Sequence, residues 1–74
     1  MKDNIFASRL REARKKAGLT QIALAKMTGL SDATVANYEN GKTSPTLNAA
    51  YLLADALGVT FAWLVGVDTY DYRY

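Results

Sequence analysis

An all-α domain of five short helices is what this sequence predicts, and three observations carry the prediction. A residue suited to capping stands before each apolar run, at Asp3 or Asn4, Thr20, Ser31, Thr46 and Thr60, where its side chain can accept from a backbone N–H that the first turn leaves unpaired. Glycine follows each run, at Gly18, Gly29, Gly41, Gly58 and Gly66, suited to the left-handed conformation that ends a helix. Between these marks the apolar residues recur at helical spacing, and connections of a few residues make the architecture a bundle.

The elements follow in order. In the first helix Phe6, Leu10, Ala13 and Ala17 form one buried stripe, and the cations near its end suit the helix dipole. The second helix runs Gln21 to Met27, with Ile22, Leu24 and Ala25 available for burial; Leu19 and Leu24 hold the two positions of a hydrophobic staple around the Thr20 cap. The third runs Asp32 to Glu39, with Leu30 and Val35 repeating the staple and Asn40-Gly41 ending the helix. After the polar loop Lys42-Thr43-Ser44-Pro45, the fourth runs Leu47 to Leu57 with Leu47, Ala50, Tyr51, Ala54 and Leu57 as its inner stripe and Leu53 close by. The fifth runs Phe61 to Val65, stapled by Val59 and Leu64, with Trp63 plugging the core.

Residues Thr20 to Asn40 are the centre of the reading. Two short helices joined by a tight glycine-bearing turn make a helix-turn-helix unit. On its second helix Val35 and Tyr38 share the inner face, leaving Asp32, Ala33, Thr34, Ala36 and Asn37 outside. These are short side chains with few charges, where a merely solvated face would carry Lys and Glu. Short polar and methyl-bearing groups suit close approach to base edges in a major groove. A small-residue surface packed on another protein is the other reading of the same face.

Gly18-Leu19-Thr20-Gln21, Leu24-Ala25, Gly29, Ser31, Val35, Tyr38-Glu39-Asn40-Gly41-Lys42, Pro45, Leu57-Gly58-Val59 and Trp63-Leu64 together resemble the Cro and phage-repressor (XRE-type) helix-turn-helix family. The resemblance covers roughly Phe6 to Gly66 and implies a five-helix, lambda-repressor-like DNA-binding domain whose third helix enters the major groove. It further implies a transcriptional regulator, most simply a repressor, acting as a homodimer on a double-stranded operator. Base contacts then fall to Asp32, Ala33 and Asn37, with Thr34 and Ala36 at the margin. Asn37 can pair with adenine and Ala33 can pack on a thymine methyl. Asp32 departs from the family pattern; it can accept from a cytosine amino group or simply stabilise the start of its helix. Phosphate contacts fall to Gln21, which stands at a helix N-terminus that favours anions and by the resemblance also braces the third helix, and to Asn40, Gly41, Lys42 and Thr43 beyond that helix. Ser31 and, more weakly, Arg9 join that set. The resemblance makes Arg14 and Glu39 a structural ion pair across the unit.

Composition bounds the alternatives. The chain has 74 residues, half of them apolar, with neither cysteine nor histidine, which excludes disulfides and the usual zinc sites and histidine-based catalysis. Its acids are scattered and no glycine-rich phosphate loop occurs, so neither an enzyme nor a cofactor is expected. Apolar runs are too short to span a bilayer and no secretory signal is visible; with the resemblance, that makes a cytoplasmic protein the expectation. Net charge is only +2, yet Arg9, Arg11, Arg14, Lys15 and Lys16 cluster within eight residues against the one acid Glu12. Distribution, more than the total, is what nucleic acid responds to. An antitoxin-like or partner-docking module on the same fold is the rival function. Residues 1–67 are expected to form the domain, and 68–74 a tail in which Tyr70, Tyr72 and Tyr74 alternate with Asp71 and Arg73. That tail is either part of a dimer contact, since tyrosine is favoured at interfaces, or a linker toward a further domain.

Overall fold

The computed structural model describes residues 4–67, so the tail lies outside the described residues. These form α1 (Ile5–Lys16), α2 (Gln21–Thr28), α3 (Asp32–Glu39), α4 (Leu47–Leu57) and α5 (Phe61–Val65), with no strand among them. Each helix starts on a side-chain cap. Asn4, Thr20, Ser31, Thr46 and Thr60 accept from the backbone N–H three residues on. The end of α3 shows how glycine shapes the chain. Gly41 has φ +73°, and the reversal it permits lets Lys42 N–H donate to Asn37 O at 2.9 Å and Gly41 N–H to Tyr38 O at 3.2 Å, the paired bonds of a Schellman motif.

One core joins the five helices. Leu10, Leu24, Val35, Leu53 and Leu64, one from each helix, are its most deeply buried large side chains. Phe6 meets Tyr38 edge-on at 5.6 Å, tying the start of α1 to α3. Packing pairs α2 with α3, α1 with α3 and α5, and α4 with α2 and α5. No helix among the described residues is long and apolar enough to cross a membrane.

The core departs from the sequence expectation at four positions. Ala17 is exposed, because α1 stops at Lys16 and Ala17 forms its C-terminal cap. Ile22 is 56% exposed on the outer side of α2, where Leu24 and Ala25 alone are buried. On α4 the inner stripe is rotated: Leu47 (65%) and Tyr51 (54%) face outward, while Ala49, Ala50, Leu53 and Ala54 are buried. Alanine lets α4 lie close against α1, α2 and α5, so size as well as apolarity decides which face turns in. Tyr51 instead stacks on Phe61 at 4.2 Å with ring planes 18° apart. Trp63 packs against the core without being fully buried; the Arg9 guanidinium lies 5.0 Å from the centre of its ring.

Candidate nucleic-acid interface

The local sequence around α3 builds two faces. Ser31 Oγ accepts from Thr34 N–H at 3.0 Å and lies 2.8 Å from the Thr34 hydroxyl, so the cap also orients Thr34. Val35 and Tyr38 are buried, while Asp32 and Ala33 are exposed and Thr34, Ala36 and Asn37 are half-buried. Asp32 Oδ1 accepts from Ala33 N–H at 3.0 Å, so its carboxylate is engaged at the positive start of its own helix. The open face from Asp32 to Asn37 carries no cation.

Glu39 is the structural node. It is 3% exposed, and a carboxylate so buried requires strong partners. Arg14 supplies a bidentate pair, Nε to Oε2 at 2.6 Å and Nη2 to Oε1 at 3.0 Å, and its Nη1 donates to Leu19 O at 2.9 Å. Gln21 Nε2 donates to Oε1 at 3.2 Å; since a carboxylate only accepts, this contact fixes which end of the amide faces inward. Arg11 Nη2 donates to the Glu39 backbone carbonyl at 2.9 Å, a favourable place for a cation at a helix C-terminus. Burial pushes the Glu39 carboxyl up, but the Arg14 and Gln21 hydrogen bonds and the charges of Arg14 and Arg11 outweigh it, and the group titrates below its ordinary value. The Arg14 guanidinium, hydrogen-bonded to Glu39, is held charged more firmly still.

These bonds fix α3 relative to α1 and α2. Gln21 stands at the first turn of α2, braced against Glu39, and Ser31 at the start of α3. Asn40, Gly41, Lys42 and Thr43 follow α3 directly and are exposed. The structure does not bring Arg9 to that edge: its Nη1 donates to Trp63 O on the α5 side. Arg11 is the residue that sequence reasoning missed, because a bond from a side chain to a backbone carbonyl 28 residues away leaves no motif. Among the described residues no cluster of His, Cys, Asp or Glu could hold a metal ion.

Fold and site together define a helix-turn-helix domain whose third helix turns a small-residue face outward. The model of the helix-turn-helix family HTH_3 matches residues 10–64, and the chain belongs to this XRE-type family. It is 45% identical over 49 residues to an HTH-type transcriptional regulator of Methanothermobacter thermautotrophicus, covering 66% of this chain and 71% of that protein. It is 34% identical over 61 residues to the immunity repressor protein of Bacillus phage phi105; that match covers 82% of this chain and 42% of the repressor's length. The crystal structure of the P22 c2 repressor in complex with a synthetic operator superposes with a TM-score of 0.80 at 30% identity, covering 85% of this chain and 96% of that one.

Proposed function

We propose that this chain is a sequence-specific double-stranded DNA-binding transcriptional regulator of repressor type, acting in the cytoplasm as a homodimer with α3 of each copy in the major groove. The single observation that carries this reading is the division of α3. Val35, Tyr38 and Glu39 anchor the helix to the rest of the domain, and Asp32, Ala33 and Asn37 are left at its surface. An anchored helix with short outward groups can approach base edges closely and in one orientation. Gln21 and Ser31 on one side, and Asn40 to Thr43 on the other, flank it as phosphate contacts. The similarity to phage repressors supports the same reading.

A readout face without Arg or Lys binds weakly by itself, so two copies on two half-sites are part of the proposal. The outward α4 face, with Leu47, Tyr51 and Leu52 exposed and Phe61 stacked on Tyr51, supports a contact between copies. Selection of bound sequences from a random duplex pool tests the whole reading. The expected result is a palindrome with half-site centres about 34 Å apart or a multiple. Enrichment of no sequence would overturn it, and partner capture insensitive to salt would favour the protein-docking module instead.

A further inference from the structure

Two guanidinium groups reach the end of α3 from α1, and among the described residues one carboxylate, that of Glu39, meets them. Arg14 occupies that carboxylate through two hydrogen bonds, and its side chain is only 12% exposed. Arg11 reaches the backbone instead. Its Nη2 holds the Glu39 carbonyl at 2.9 Å, while its Nε stands 3.9 Å from Glu39 Oε1, too far for a hydrogen bond. Its side chain is 49% exposed. The cluster therefore carries one surplus positive charge, and Arg11 is the member that presents it to solvent.

That charge has a defined orientation. Guanidinium offers five N–H donors in a planar fork, and the bond to the Glu39 carbonyl uses one of them. Anchoring one tine sets the direction of the others before any ligand arrives, which lowers the entropy lost on binding. The anchoring carbonyl belongs to the last residue of α3, and Asn40, Gly41 and Lys42 follow it at once. We propose that Arg11 is a phosphate-contacting residue of the DNA interface, acting from α1 alongside Lys42 while its bond to the Glu39 carbonyl holds it in place. This rests on the DNA-binding reading above. A cation that only stabilises the C-terminus of α3 would satisfy the carbonyl equally well, and the two roles differ in their response to salt.

The test is a fluorescence anisotropy titration of the full chain against a labelled mixed-sequence duplex of about 20 base pairs, two helical turns, across a potassium chloride series. Lys42→Ala serves as the reference, and thermal unfolding of each variant is recorded in parallel. Arg11→Gln is expected to flatten the slope of log K against log salt by about one unit for each bound copy, while Arg11→Lys keeps the wild-type slope. The inference is overturned if Lys42→Ala flattens the slope and Arg11→Gln does not, whatever either does to thermal stability. Binding that ignores salt in the wild-type chain overturns the DNA reading along with it. Should Arg11→Gln unfold, Arg11→His compared at pH 5 and pH 8 decides: the slope must be steeper at the lower pH by more than in the wild-type chain.

Discussion

Arg14 and Glu39 are joined by two hydrogen bonds, at 2.6 and 3.0 Å, across 25 residues of sequence. The pair ties α1 to the last turn of α3, so the orientation of the proposed reading helix depends on it. Removing one partner leaves the other charge buried, which costs about 3–5 kcal/mol. Against a total stability on the order of 5–15 kcal/mol, Arg14→Ala is expected to bring the domain close to unfolding at room temperature. Urea denaturation followed by circular dichroism measures this, and an unchanged midpoint would show that the pair contributes little.

The same carboxylate makes stability depend on acid. Glu39 titrates below its ordinary value of 4.5 in the folded domain, so folding favours its charged form. A depressed carboxylate contributes fully above its unfolded value, and the contribution is lost as pH falls through the folded one. The urea midpoint should therefore drop as pH goes below 4.5, and Glu39→Gln should drop less steeply over the same range. Parallel curves for the two proteins would mean that other carboxylates carry the acid response.

Gly29 and Gly41 separate conformational cost from contact. Both have positive φ, +76° and +73°, where an L residue is disfavoured by about 1–2 kcal/mol. A Cβ on Gly29 would meet nothing within 4 Å, whereas one on Gly41 would come 2.9 Å from Asn4 Nδ2. Gly29→Ala should lose about that intrinsic amount in thermal or urea unfolding. Gly41→Ala should lose more, to the extent that Asn4, which also caps α1, must move aside.

The outward face of α4 bears on assembly. Leu47→Lys and Leu52→Lys place charge at exposed positions and should change monomer stability by no more than about 0.5 kcal/mol. If a second copy covers this face, sedimentation at high concentration should show a dimer for the wild-type chain and a monomer for both variants. A wild-type chain that remains monomeric under these conditions would remove this face from the dimer proposal.

How far the sequence was legible follows from the kind of interaction involved. Helix boundaries are set locally, and Ser31, Asn40 and Gly41 marked both ends of α3 because a cap and a chain reversal need particular residue types. The inner face of α4 was legible in part: Ala50 and Ala54 of the expected stripe are buried with Leu53, but Leu47 and Tyr51, which match the same helical spacing, turn outward, and the close approach of neighbouring helices brings Ala49 inside instead. Spacing could not join Arg14 to Glu39; the family resemblance named those two residues. The resemblance likewise made Gln21 a brace of the third helix, and its bond to the Glu39 carboxylate is that brace; the bond of Arg11 to the Glu39 carbonyl is a product of the tertiary fold and has no signature in the chain.

If α3 reads bases through its short outward side chains, Asn37→Ala must weaken binding to the selected operator. The affinity loss should be about 1–3 kcal/mol on that operator. It should shrink or vanish when the base pair facing Asn37 is itself replaced, while binding to unrelated duplexes stays as it was. An Asn37→Ala protein that binds the operator and every single-base variant of it as the wild type does would mean that α3 does not read bases through Asn37.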